Sequence, residues 1–227
     1  MYKRKEFDSA IVVLLLLCCS VFIFSITNAF IEQNKQSIQS KAMKSSLIVE
    51  IVYQDETIGK GTAQLIDSQN AISVAHLFSK GISNINCYFY DKKQALSAEL
   101  VKLDENLDVA LLKLDKKTKV GHLKFVKKQN INYGKPIFKI GNALGYGLSI
   151  DEGIISNPYL KMNISGIERE LISISIPINS GDSGGGVFDE NGNYIGMISF
   201  KTSPTTVATD SMSFIIPSYV IYDFINA

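Results

Sequence analysis

The chain has 227 residues, of which 46% are hydrophobic and 20% are charged, a composition that excludes a disordered or collagen-like protein. Its 23 Lys and Arg residues nearly balance 22 Asp and Glu residues, so no basic field is available to hold a nucleic acid, and we expect no such partner. The histidines and cysteines show no metal-ligand spacing, and we expect neither a metal nor another cofactor. Cys18 and Cys19 lie in an apolar N-terminal segment, which leaves Cys87 without an intramolecular disulfide partner.

The first predicted element is that apolar N-terminal segment. Basic residues at 3–5 precede an uncharged run at 10–31. At about 1.5 Å per residue this run reaches about 33 Å, enough to cross the core of a bilayer. Residues 1–31 are therefore expected to form a signal peptide or an uncleaved transmembrane anchor, followed by a linker at 32–44. A buried core helix is the third alternative, but it leaves the basic flank unexplained.

The flanks of the apolar run predict a location for the protein. Small residues at 27–29 offer a cleavage site to a signal peptidase, whereas the length of the run is typical of an uncleaved anchor. The basic residues on the N-terminal side favour a cytoplasmic N-terminus. We therefore expect an extracytoplasmic protein that is either anchored in the membrane through residues 10–31 or exported to the periplasm or cell exterior.

The rest of the chain has the pattern of short strands. Runs of β-branched and aromatic residues alternate with turn residues at a spacing typical of sandwiches or barrels. The predicted strands are residues 47–53, 61–66, 71–74, 85–90, 96–103, 109–114, 135–140, 148–156, 170–176, 186–188, 194–202 and 212–216. Asn191 and Gly192 predict a two-residue hairpin turn. A lysine-rich stretch at 115–130 separates two sets of strands, and only residues 218–225 have helical periodicity. The prediction is an all-β protein of two subdomains with one crevice.

The densest chemical signal is the segment 179–186, Asn-Ser-Gly-Asp-Ser-Gly-Gly-Gly. The hydroxyl of Ser183 becomes a nucleophile only when a base takes its proton, and the oxyanion that its attack creates needs backbone N–H donors. Flanking glycines let a tight loop aim those donors without β-carbons in the way. The alternative is a flexible surface turn, in which Gly and Ser are common.

Two further segments supply a base and an acid. His76 follows the predicted strand 71–74, and Asp108 precedes the predicted strand 109–114. Taken singly, a structural histidine and a strand cap are the alternatives. A histidine, an acid and a serine in this order, each beside an apolar strand, predict a catalytic triad of His76, Asp108 and Ser183.

These segments resemble the motifs of the chymotrypsin-like (trypsin-like) serine proteases. Three motifs carry the resemblance: Ala-His at 75–76, Asp-Val-Ala-Leu-Leu-Lys at 108–113, and Gly-Asp-Ser-Gly-Gly at 181–185. Three further segments are similar to the HtrA or Deg branch: residues 140–147, 153–156 and 213–218. The likeness covers about residues 45–225. It implies a double six-stranded β-barrel, with an N-terminal barrel at 45–120, a C-terminal barrel at 121–227 and the active site in the cleft. The PDZ domain that most HtrA proteins carry is not expected in this chain.

The resemblance also implies roles for individual residues. Ser183 attacks the scissile carbonyl, His76 transfers the proton, and Asp108 orients the histidine and stabilises its cation. The backbone N–H groups of Gly181 and Ser183 form the oxyanion hole. Four residues are expected to bind substrate: Pro177, Ser199, Phe200 and Lys201.

Asp182 departs from the HtrA pattern, which usually has asparagine at this position. In trypsin-like enzymes this acid is neutralised by the N-terminal ammonium that zymogen cleavage creates, yet no Arg-Ile-Val-Gly-Gly-like activation site precedes the predicted barrel. We expect either an N-terminus freed by processing or a nearby lysine to pair with Asp182.

The expected function is that of a serine endopeptidase. It would cleave protein or peptide substrates through an acyl-enzyme, in envelope protein quality control or processing. The alternative is a non-catalytic holdase or adaptor that binds peptides in the same cleft. The resemblance leaves a homo-oligomer open.

Overall fold

A computed structural model describes residues 2–91, 94–119, 123–164, 166–202 and 212–227, with the side chains of 2–12 and 200–202 left out. The chain divides into two compact units, one up to Ile38 and one from Gln39 onward.

The N-terminal element is a single helix, α1 (Tyr2–Lys44). The sequence has no Gly or Pro between these residues, so nothing local interrupts the helix, and the stretch 32–44 expected as a linker is helical. The hydroxyls of Ser20, Ser25 and Thr27 donate to carbonyls three or four residues earlier, which satisfies these polar groups within an apolar run. From Val13 the helix is long and apolar enough to cross a membrane, a property that an N-terminal signal sequence shares.

The first six strands form a closed antiparallel barrel. They are β1 (Ser46–Tyr53), β2 (Ile58–Leu65), β3 (Asn70–Ser73), β4 (Ile82–Tyr88), β5 (Ala95–Asp104) and β6 (Val109–Leu114). Around the barrel the order is β1, β2, β3, β6, β5, β4. Closure leaves no free sheet edge, and the enclosed space is filled by apolar side chains such as Leu47, Val49, Leu65 and Leu112.

The next six strands form a second closed antiparallel barrel. They are β7 (Pro136–Gly141), β8 (Ser149–Ile164), β9 (Ile167–Ile174), β10 (Gly186–Asp189), β11 (Tyr194–Thr202) and β12 (Met212–Pro217). Here the order is β10, β11, β12, β9, β8, β7. The core is rich in isoleucine, with Ile137, Ile172, Ile195 and Ile215 buried, and the helix α2 (Ser218–Asn226) follows β12.

The fold predicted from the sequence is confirmed, with two local differences. The all-β class, the double barrel and the C-terminal helix are all present. β8 extends to Ile164, well beyond the predicted end, because it continues in a long hairpin with β9. The two-residue turn predicted at Asn191 and Gly192 is wrong: residues 190–193 all lie outside the strands, and of the two predicted residues Gly192 alone has a positive φ, at 76°. Asp189 holds this wider loop, since its carboxylate accepts the backbone N–H groups of Asn191 and Asn193.

The barrels place the predicted catalytic residues at the ends of strands. His76 lies in a short 3₁₀ helix directly after β3, and Asp108 directly precedes β6. β3 and β6 are paired with Ser73 opposite Ala110, so both ends meet at one point of the first barrel. Ser183 lies in the loop between β9 and β10 of the second barrel.

Candidate active site

His76 and Asp108 are in direct contact. The imidazole Nδ1 lies 3.1 Å from both carboxylate oxygens of Asp108, and the backbone N–H of His76 donates to Oδ1 at 3.0 Å. Asp108 has φ = +60°, a left-handed conformation that aspartate tolerates better than most residues. Its side chain is 7% exposed, whereas that of His76 is 49% exposed. A buried acid therefore orients a histidine that remains open to solvent.

The environment of Asp108 keeps its carboxyl group ionised. Burial by itself would raise the pKa of Asp108, but the hydrogen bonds and charge of His76, together with a hydrogen bond from Ser199, outweigh it and leave the pKa below its usual value. The Ser199 hydroxyl donates to Oδ2 at 2.7 Å, the short distance of a charge-assisted bond. The negative charge needed beside an imidazolium is thus present.

The first barrel holds the loop that carries Ser183. The backbone N–H of Thr62 in β2 donates to the Ser183 carbonyl at 2.9 Å. The Thr62 hydroxyl donates to the Gly181 carbonyl at 2.8 Å and accepts the N–H of Asn142 at 3.0 Å. Gly184 has φ = +87° and donates to the Ile198 carbonyl at 2.8 Å. Contacts from both barrels therefore fix the Ser183 loop, since β2 belongs to the first barrel and Ile198 to the second.

The hydroxyl of Ser183 donates to the Ser199 carbonyl at 3.2 Å. Within the described residues its hydrogen bond goes to this carbonyl and not to His76. Ser199 thereby links the two halves of the site, because its own hydroxyl binds Asp108. The structure thus brings His76 and Asp108 together directly and connects Ser183 to them through Ser199.

Two backbone N–H groups of the Ser183 loop have no acceptor among the described residues. In the part of the chain that the structure describes, the N–H groups of Gly181 and Ser183 donate to no protein group. The Ser180 carbonyl accepts the N–H of Leu144 at 2.7 Å. Because C=O and N–H point in opposite directions across a trans peptide, this bond aims the Gly181 N–H away from Leu144. Unpaired backbone N–H groups of this kind are available to bind an anion.

Asp182 pairs with a lysine. Lys139 in β7 places its Nζ 2.7 Å from Oδ2 of Asp182, and both side chains are almost completely buried, at 1% and 0% exposure. Of the two partners expected from the sequence, the structure supplies the lysine. No sequence signal identified Lys139, because the pairing depends on β7 lying next to the loop in three dimensions.

The remaining predicted substrate-binding residues are spread around the loop. Pro177 is exposed at its beginning. Phe200 and Lys201 lie on β11, paired with Phe214 and Ser213, and their side chains lie outside the described part of the structure.

An open cavity of about 410 Å³ adjoins His76 and is lined also by Ser79, Glu105 and Arg169. Among the residues described, no cluster of three or more His, Cys, Asp and Glu side chains could hold a metal.

Sequence reasoning missed two hydroxyl contacts that shape the site, the bond from Ser199 to Asp108 and the bridge from Thr62 to Gly181. It expected a lysine beside Asp182 but did not identify Lys139. Ser199 was expected to bind substrate, and the sequence did not predict that its hydroxyl binds Asp108. Each contact joins residues far apart in the chain, so no local pattern could have revealed it.

Two closed antiparallel barrels with a histidine, an aspartate and a serine on loops at their strand ends define the class of chymotrypsin-like serine proteases. A profile of the trypsin-like peptidase domain matches residues 61–197, and the chain belongs to this family.

Comparison with known proteins places the chain near the HtrA branch. It is 28% identical over 206 residues to a serine protease Do-like HtrA of Bacillus subtilis (strain 168), covering 86% of this chain and 43% of that protein. It is 26% identical over 138 residues to the Do-like HtrA of Lactobacillus helveticus, covering 59% and 33%. The chain therefore spans less than half the length of these relatives. The structure of HtrA-type protease AlgW with tripeptide matches with a TM-score of 0.74 at 23% identity, over 85% of this chain and 62% of that one, and shows the shared fold.

Proposed function

We propose that the chain is a serine endopeptidase in which His76, Asp108 and Ser183 form the triad. The observation that carries this proposal is the buried, ionised Asp108 held against Nδ1 of a solvent-accessible His76. With Nδ1 directed at the carboxylate, Nε2 is the ring nitrogen left to exchange a proton with a hydroxyl. The two unpaired N–H groups beside Ser183 support the same chemistry.

The proposed reaction proceeds by two acyl transfers. The Ser183 hydroxyl leaves the Ser199 carbonyl and turns towards His76, whose Nε2 takes its proton as Oγ bonds to the scissile carbonyl carbon. The N–H groups of Gly181 and Ser183 stabilise the oxyanion. Nε2 then gives its proton to the leaving amine as the C–N bond breaks. Water repeats the sequence on the acyl-enzyme, which releases the acid and restores Ser183.

Protein or peptide substrates follow from the family, and AlgW was solved with a tripeptide. Pro177 occupies the position at which trypsin-like enzymes have an acid that selects basic residues, so the proposed P1 preference is a small or medium apolar side chain. The N-terminal helix supports a signal or anchor that places residues 45–227 outside the cytoplasm, with its own N-terminus inside. An envelope role in protein quality control or processing is the corresponding physiological proposal, and homo-oligomerisation is part of it.

Labelling with a fluorophosphonate probe tests the enzymatic proposal. The full chain in detergent is expected to label covalently and to cleave casein, and both activities should fall about 10⁴-fold or more in Ser183→Ala. The matched control is Ser97→Ala, which removes an exposed hydroxyl from β5 and should leave labelling unchanged. Labelling that persists in Ser183→Ala would contradict the assignment of the nucleophile.

A peptide-binding protein without turnover is the second candidate. The hydrogen bond of Ser183 to the Ser199 carbonyl favours it, because a serine held there does not approach its base. A chain of this kind would bind unfolded casein without cleaving it and would not react with the probe. Binding in both wild type and Ser183→Ala, with no labelling in either, would establish this function instead.

A further inference from the structure

The loop that carries Ser183 has a buried ion pair beneath it. Lys139 reaches from β7 to Asp182, which lies in the chain between Gly181 and Ser183. We propose that Lys139 is the activating cation of this protease: it neutralises Asp182 and positions the oxyanion loop without a new N-terminus released by cleavage. This inference rests on the proposed serine-protease function. Lys139 is a positioning residue, because it acts through Asp182 and not on substrate.

One carboxylate oxygen fastens the loop at two points. Oδ2 of Asp182 accepts Nζ of Lys139 at 2.7 Å and the backbone N–H of Asn179 at 2.9 Å. The backbone of Asp182 adds two bonds, from its N–H to the Asn179 carbonyl at 3.1 Å and from the N–H of Gly185 to its carbonyl at 2.8 Å. The position of Asp182 therefore fixes the peptide that it forms with Ser183, which carries the Ser183 N–H. The turn closed by the bond from Asp182 to the Asn179 carbonyl fixes the peptide between Ser180 and Gly181, which carries the Gly181 N–H.

The site is shaped for a carboxylate with a lysine as counter-ion. Gly141 borders it, and a β-carbon at this position would overlap Oδ1 of Asp182. Oδ1 has no hydrogen-bond partner among the described residues, so Lys139 is the charged group that compensates the buried carboxylate. Asp151 in β8 contacts the same Nζ at 3.2 Å from a half-exposed position. Without Lys139, Asp182 would be an unpaired buried charge, and the loop would have to move to reach water.

The decisive variant is Lys139→Met in the full chain in detergent, since methionine keeps an unbranched side chain and removes the charge. Oxyanion donors act in the transition state, so we expect kcat on a peptide substrate and the rate of fluorophosphonate labelling to fall about 100-fold or more. KM should change by less than about 3-fold. The double variant Lys139→Met/Asp182→Asn removes the unpaired charge and should recover at least about 10-fold of the lost rate.

A second lysine and aspartate pair in the same barrel provides the matched control. Lys135 contacts Asp189 at 3.0 Å, and the carboxylate of Asp189 is buried at the end of β10, outside the Ser183 loop. Lys135→Met should leave kcat within about 2-fold of wild type while lowering stability. An equal loss of kcat in both lysine variants would show a general structural effect and overturn the inference.

Intact-mass analysis of the labelled wild type gives a test that does not depend on how Lys139→Met folds. The inference expects the probe adduct on a chain that is intact beyond residue 31, and labelling confined to chains cut after that point would overturn it. If wild type and Lys139→Met are labelled equally well, this inference is wrong and the proposed function still stands. Wild type that does not label at all refutes the proposed function and this inference with it.

Discussion

At the residue scale, Ser199 has the most connected position in the site. Its hydroxyl donates to Asp108 and its carbonyl accepts from Ser183, so one residue contacts both the acid and the nucleophile. The Ser199 hydroxyl and His76 both stabilise the negative charge of Asp108. Its removal should therefore affect catalysis through Asp108 without touching the reacting atoms.

We predict that Ser199→Ala lowers kcat about 10-fold and the free energy of unfolding by about 1.5–3 kcal/mol, the usual contribution of a hydrogen bond to a charged group. Peptide-cleavage kinetics and urea unfolding measure the two quantities. Ser46→Ala is the control, because Ser46 is also buried and its hydroxyl is bonded to Ala42 and Gln64 rather than to Asp108. Similar kcat values in the two variants would contradict a role for the Ser199 hydroxyl in the site.

The stability difference between wild type and Ser199→Ala should also depend on pH. The folded pKa of Asp108 is lowered, so its stabilisation is present above its usual pKa of 3.8 and is lost as pH falls through the lower folded pKa. The Ser199 hydroxyl binds the charged form more strongly than the neutral one. Urea unfolding should therefore show a difference that is constant at neutral pH and shrinks in acid. A stability difference between wild type and Ser199→Ala that grows below pH 3.8 would contradict a lowered pKa of Asp108.

At the element scale, two glycines with positive φ differ in their constraints. Gly184 lies in the loop that carries Ser183, and Gly166 lies in the turn between β8 and β9. Gly184 and Gly166 have nearly the same φ, +87° and +89°. A β-carbon on Gly184 would overlap the Thr62 carbonyl and the Ser73 hydroxyl, whereas a β-carbon on Gly166 would meet no described atom within 4 Å. An alanine at Gly166 therefore meets backbone strain alone, whereas an alanine at Gly184 meets both backbone strain and lack of space.

We predict that Gly184→Ala destabilises the protein by about 2–5 kcal/mol, the sum of left-handed strain and overpacking against backbone. Gly166→Ala should cost about 1–2 kcal/mol, the strain alone. Chemical unfolding of both variants measures the difference. As denaturant is added, labelling with the fluorophosphonate probe should be lost at a lower concentration in Gly184→Ala than in Gly166→Ala. Equal destabilisation in the two variants would show that the contact with Thr62 does not constrain the loop.

The strand-level predictions from the sequence were largely right because alternation and turn residues are local signals. Each of the twelve predicted runs overlaps a described strand. β8 is longer than its predicted apolar run because pairing with β9 stabilises polar residues as a strand. The loop at Asn191 and Gly192 is longer than the predicted two-residue turn because the Asp189 carboxylate binds backbone N–H groups of the loop. In both cases a partner outside the local pattern decided the conformation.

At the scale of the whole molecule, the two barrels enclose separate apolar cores. Cys87 lies in the first core with no exposed surface, and burial raises the pKa of its thiol to about 12. A thiol with this pKa is almost entirely protonated at neutral pH and is therefore unreactive while the barrel is closed. Its modification therefore reports opening of the first barrel.

We predict that Cys87 in a Cys18→Ser/Cys19→Ser chain reacts with a thiol reagent at least about 10³-fold more slowly in native buffer than in urea. The removed cysteines are exposed on α1 and would otherwise react first. As urea is added, the rate of Cys87 modification should rise in step with the unfolding of the barrels. Rapid modification in native buffer would contradict a closed first barrel.

The sequence by itself predicted the strands and the terminal helices and indicated His76, Asp108 and Ser183 as the candidate triad, because each of these signals depends on residues close together in the chain. Only the tertiary structure decided how these groups are connected. Ser199 and Asp108 are 91 residues apart, and Lys139 and Asp182 are 43 apart. Such contacts arise when barrel closure brings β7, β11 and the β3–β6 pair around one loop. Local patterns cannot encode them, since the partner of a buried charge or hydroxyl is chosen by packing across strands and not by spacing along the chain.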